Sequence, residues 1–75
     1  MRFFFDYKTL DHALYDYRGD YFQTPQAAIE FAAAIAEDLK NRLTENWMGW
    51  SIEVRNVEGM KLSSISIDTA GLLAA

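Results

Sequence analysis

The sequence predicts an α+β fold: a β-hairpin, one long helix and a second β-hairpin (ββαββ), with the helix packed on one face of an antiparallel sheet. Three observations predict it. Residues 2–8 and 50–55 alternate side chains with a period of two. Thr24-Pro25 opens a segment whose apolar residues recur with helical spacing. Asp16-x-x-Gly19 and Asn56-x-x-Gly59 supply turn chemistry where strands must end.

Phe3, Phe5 and Tyr7 point to one side of the first strand, and Phe4, Asp6 and Lys8 to the other. All the aromatic members are good β-formers. Thr9-Leu10-Asp11-His12 is the expected hairpin loop, and the second strand is expected at Ala13–Tyr17. Asp16 then opens a turn by accepting backbone N–H groups ahead of it, and Gly19 closes the turn at positive φ.

The helix begins at Thr24, whose hydroxyl can cap free N–H groups, and Pro25, whose missing N–H costs nothing at the first helical position. Ala28, Ile29, Ala32, Ile35, Ala36, Leu39 and Leu43 make the core-facing stripe. Asp38 and Arg42 stand four apart, worth about 0.3 kcal/mol as a pair. Asn46 to Gly49 is the expected end of the helix. The alanines at 27, 28, 32, 33, 34 and 36 favour the helical state and let its axis approach the sheet closely.

Trp50, Ile52 and Val54 alternate with Ser51, Glu53 and Arg55 in the third strand. The fourth runs from Met60 to Ile67. Met60 and Leu62 share one parity there, and Ile65 and Ile67 share the other. Either a bulge near Ser63-Ser64 shifts the register or both faces are partly covered. Residues 1–68 read as one domain and 69–75 as a frayed tail.

A chain of 75 residues accommodates one domain. Eleven aromatic side chains among them (five Phe, four Tyr, two Trp) supply the buried area that so small a core needs. The expected stability is still only about 3–5 kcal/mol. Without cysteine there is no disulfide, zinc finger or thiol nucleophile, which suits a reducing cytosol. Asp6 interrupts the stretch where a signal peptide would stay apolar, and no segment is long enough to span a bilayer. The chain is therefore read as cytoplasmic, with no membrane contact. Its net charge of −4, with seven basic residues scattered singly from Arg2 to Lys61, disfavours nucleic acid as a partner.

The order of these features resembles a known family. Arg2-Phe3-Phe4-Phe5-Asp6 is followed by Asp16-x-x-Gly19 and by Thr24-Pro25-x-Ala27-Ala28 at the helix start. Trp50-x-Ile52-x-Val54, Asn56-x-x-Gly59 and Ile65-x-Ile67 complete the pattern. Together they look like DUF6894, short proteins of unknown function from rhizobia and other alphaproteobacteria. The likeness extends to about residue 68. The family usually has Asp where this chain has Asn56, which the same turn accepts. The resemblance implies a fold and a bacterial setting, and no catalytic residues.

Tests for chemistry find no catalytic, cofactor or metal residue to nominate. His12, the one histidine, stands beside Asp11 in an expected exposed loop with no nucleophile in range. Asp6, Asp11, His12, Asp16 and Asp20 lack the spacing of a cation loop and read instead as a solvated acidic edge. Gly19, Gly49, Gly59 and Gly71 are isolated, and none forms a phosphate cradle.

Phe3, Phe5, Phe31, Trp47 and Trp50 are expected in the core. If Phe3, Phe5 and Leu14 face the helix, then Phe4, Tyr15 and Tyr17 share the open face of the sheet. Those three are the candidate protein-contact residues. The expected function is a non-catalytic interaction module, binding a second copy through the open face or an edge strand, or binding another protein. The alternative is a regulator of a toxin or nucleic acid, like the HicB-type antitoxin domains that pair with a small RNA-cleaving toxin, a fold-level analogy.

Overall fold

The computed structural model describes residues 1–42 and 46–68. Six elements follow one another: β1 Arg2–Lys8, β2 Ala13–Leu14, β3 Asp20–Tyr21, α1 Pro25–Lys40, β4 Ser51–Asn56 and β5 Lys61–Ser66. The α+β class and the antiparallel sheet with one helix are as expected. The strand order is β2-β1-β4-β5, with β3 also paired to β1, so the aromatic first strand lies inside the sheet.

The second strand differs from the expectation of one run over Ala13–Tyr17. Two dipeptide strands replace it, making five strands among the described residues. β2 pairs with the C-terminal end of β1, Tyr7 opposite Leu14, and β3 pairs with its N-terminal end, Arg2 opposite Tyr21. The registers differ by two residues, and the excess is looped out between them. The cause is Asp16. Its Oδ2 accepts the Phe5 N–H at 3.2 Å, replacing a ladder bond, while its Oδ1 accepts from Arg18 and Gly19. The side chain has outcompeted the backbone for an edge donor.

Thr24 caps α1 as the sequence predicts, its Oγ1 accepting from Ala27 N–H at 3.1 Å. Ala28, Ala32 and Ala36 are fully buried, which brings the helix axis close to the sheet. Ile35 and Leu39 pack at the margins of this stripe. The helix closes at Lys40, with Asn41 as its C-cap, rather than running to Asn46. There the Arg42 N–H turns to the carbonyl of Leu39, a tightened last turn that ends the α-ladder. Arg42 and Asp38 pair at 3.1 Å as expected. Leu43, Thr44, Glu45 and the expected tail 69–75 lie outside the described residues.

β4 pairs with β1 along its whole length, Phe5 opposite Val54, and its Ile52 and Val54 are buried with Phe3, Phe5 and Ile67 under the helix. In β5 the parity conflict resolves as a bulge. Val54 faces Ser63 while Arg55 faces Lys61, leaving Leu62 as the additional residue. Leu62 and Ile65 both then pack against the core. The Asn56 turn forms as predicted: Asn56 Oδ1 accepts from Glu58 and Met60, and Gly59 takes a φ of 86°.

Candidate functional site

The alternation of β1 gives the sheet two chemically different faces. On the face away from the helix, Arg2, Phe4, Asp6 and Lys8 of β1 stand beside Arg55, Glu53 and Ser51 of β4. Asp6 is 1% exposed. Its Oδ2 accepts Arg55 Nε at 2.6 Å and its Oδ1 accepts the Asp16 N–H at 2.9 Å. Arg55 also donates from Nη2 to the Asp16 carbonyl at 2.8 Å, so the two residues clamp the loop after β2 onto the sheet. Lys8 pairs with Glu53 at 2.9 Å, and Lys61 lies 3.9 Å from the other Glu53 oxygen. The hydrogen bond to Glu53 is the main cause that raises the Lys8 pKa above its ordinary value.

Phe4 lies within this lattice of charges. The Arg55 guanidinium is 4.5 Å from its ring centroid and that of Arg2 5.2 Å, while Gly19 packs close to its edge. Arg2 in turn donates to the carbonyl of Arg18, which holds the loop down. Tyr15, 51% exposed, carries Lys8 Nζ at 5.4 Å from its ring. Tyr17 is 86% exposed at the crest of the loop. Phe4 is thus engaged by two cations, Tyr15 by one, and Tyr17 projects freely. The four basic residues that the linear sequence scatters, Arg2, Lys8, Arg55 and Lys61, meet on this face, interleaved with Asp6 and Glu53.

The helix side holds a concavity. Because the alanine stripe seats α1 over β4 and β5, the part of the sheet nearest β2 is left uncovered. A cleft of about 380 Å³ opens there, lined by Phe5, Tyr7, Leu14, Tyr15, Phe31 and Ile35, with Asp16 and Asp20 on its border. Leu14 points to the helix side, opposite Tyr7, yet is 62% exposed. Phe31, expected in the core, is 41% exposed on the cleft wall. It is braced edge-on against Phe5 at 5.4 Å and lies tilted against Phe22 at 5.2 Å. Trp47 and Trp50 are half-buried, packed together edge-on, with Trp47 beside Tyr7.

The cleft's polar chemistry is limited. Burial, and secondarily the Asp16 charge, raises the Tyr7 pKa above 10.0, so its hydroxyl stays protonated and able to donate. On Asp16, partial burial works to raise the pKa. The N–H groups of Gly19, Arg18 and Phe5, with the charge of Arg55, outweigh it and hold the carboxyl below its ordinary value. His12 is exposed at the hairpin tip, its Nδ1 3.0 Å from Asp11. Among the described residues, no group of three or more His, Cys, Asp or Glu side chains could hold a metal ion. None of the described helices is long and apolar enough to cross a membrane.

Sequence reasoning missed Leu14, Ile35 and Phe31 as site residues. The signal available for Phe31 was the Ala28-Ala32-Ala36 row: three small residues at i, i+4 and i+8 mark the contact line, which places Phe31 to one side of it. A family profile described as a domain of unknown function, DUF6894, matches residues 2–68. No curated protein and no solved structure matches the chain.

Proposed function

Since the chain belongs to the DUF6894 family, whose description names no activity, we propose from its geometry that it is a non-catalytic protein-interaction module whose contact site is the cleft beside α1. The observation that carries this reading is a wall of exposed apolar side chains, Leu14, Tyr15 and Phe31, over a floor of Phe5 and Tyr7. Apolar concavities with a few polar groups at the border suit the anchoring side chains of a partner. The open face is less suited to the same task. Arg55 and Lys8 are already paired with Asp6 and Glu53, and acids set among the cations work against a polyphosphate strand.

Site-specific photo-cross-linking in cells tests the reading. A photoreactive residue at Leu14 is expected to trap a discrete protein adduct, and one at Val57, exposed at the far turn, is expected to trap none. Equal labelling from the two positions, or none from either, overturns it. A small RNA-cleaving toxin trapped from Leu14 makes the module a regulator of the antitoxin kind.

A further inference from the structure

The two edges of the sheet are built differently. One consists of β2 and β3, two residues each, separated by the Asp16 loop that has taken over the Phe5 N–H. Such a broken ladder offers no continuous template for another strand. The other edge is β5, six residues long, and no described strand pairs with its outer side. It contains no proline, and its one charge, Lys61, is at the N-terminal end.

The backbone direction of β5 can be read from one bond. Ile67 N–H donates to the Trp50 carbonyl at 2.9 Å. Antiparallel alternation then turns the polar groups of Ser63 and Ile65 toward β4, and those of Ser64 and Ser66 outward. Ser64 and Ser66 are exposed and small, so nothing bulky stands in front of those groups. Lys61 opens the strand and Asp68 follows its end, with no charge between them. Ser66 Oγ donates to the Asp68 carboxylate, which keeps that acid near the open-face side of the strand end.

We propose that β5 is a self-pairing edge: two copies of this chain join β5 to β5 antiparallel about a two-fold axis at Ser64, giving one continuous sheet. Charge complementarity selects the second copy and the direction. Antiparallel pairing brings Lys61 of each copy beside the end of the other's strand, where Asp68 stands, twice per dimer. Parallel pairing would set like against like. At the axis the Ser64 N–H of each copy donates to the Ser64 carbonyl of the other. On the helix side Ser63 meets Ile65 across the seam, covering an isoleucine that is only half-buried in one copy. This surface is separate from the cleft, and either can fail without the other.

Sedimentation equilibrium of the full chain tests the proposal, with circular dichroism confirming that each variant is folded. The native chain is expected to dimerise in the micromolar range. Ser64→Pro removes only an outward N–H, a substitution that edge strands tolerate, and is expected to give a monomer. Lys61→Glu alone is expected to weaken the dimer by about tenfold, and combining it with Asp68→Lys to restore it. A native chain that stays monomeric to high micromolar concentration overturns the proposal. So does a Ser64→Pro chain that dimerises as tightly as the native one, or a charge swap that does not rescue.

Discussion

Asp6 and Arg55, 49 residues apart in the chain, form an ion pair at 2.6 Å, its carboxylate buried and its guanidinium partly exposed, that fastens the loop after β2 to the sheet. Asp6 accepts the Asp16 N–H and Arg55 donates to the Asp16 carbonyl, so both main-chain groups of Asp16 are held by this one pair. The loop in turn sets one border of the cleft. The pair therefore links the open face to the site on the other side of the sheet.

Replacing Asp6 by alanine leaves the arginine and the Asp16 N–H without their acceptor. Removing the buried carboxylate of such a pair costs about 3 kcal/mol, comparable with the whole stability of a domain this small. Urea unfolding is expected to show a midpoint near zero denaturant for Asp6→Ala. A loss under about 1 kcal/mol would mean that water replaces the carboxylate.

Gly19 and Gly59 both adopt positive φ, at 72° and 86°, but their surroundings differ. A Cβ on Gly19 would lie 2.7 Å from the Phe3 carbonyl oxygen and 3.1 Å from the Phe4 ring, whereas one on Gly59 meets nothing within 4 Å. Gly59→Ala is expected to cost about 1 kcal/mol, the penalty of the left-handed conformation alone. Gly19→Ala should cost at least about 1 kcal/mol more, because the loop must lift from Phe4. Paired thermal melts of the two variants compare them directly.

Asp16 gives the fold an acid dependence. Its carboxyl is held below the ordinary value of 3.8 in the folded chain, so the folded state binds that proton less readily than the unfolded state. The stability this supplies is fully present above about pH 4 to 5 and is lost as pH falls through the lower folded value. Asp16→Asn is expected to be less stable at neutral pH and to lose less on acidification. Chemical denaturation at pH 7 and pH 3 checks both signs.

Thr24→Ala removes the acceptor for Ala27 N–H and is expected to cost about 1 kcal/mol. Thr24→Ser keeps that acceptor and should lose much less. The difference between the two unfolding midpoints isolates the cap from other effects at this position.

Local chemistry was legible in the sequence where it is decided locally. Thr24-Pro25 marks the start of the helix, Asn56 and Gly59 make their turn, and the parity of β1 separates Phe3 and Phe5 from Phe4. The break between β2 and β3 was half legible: Asp16 was identified as opening a turn, but its capture of the Phe5 N–H depends on how β1 lies against it. The pairing of Asp6 with Arg55 joins two strands across 49 residues, and no local pattern specifies it. The cleft escaped notice because Phe31 read as a core residue and Leu14 as facing the helix. They would be core if α1 lay over the middle of the sheet. The three buried alanines instead seat it over β4 and β5.

The cleft beside α1 is the proposed contact site. The most direct test adds Phe31→Glu to the chain carrying the photoreactive residue at Leu14. Phe31 is on the cleft wall and already 41% exposed, so the fold should persist, with a melting temperature lowered by only a few degrees, roughly the shift expected for about 1 kcal/mol. If the cleft is the contact site, the Leu14 adduct disappears from this folded variant. An undiminished adduct would contradict it.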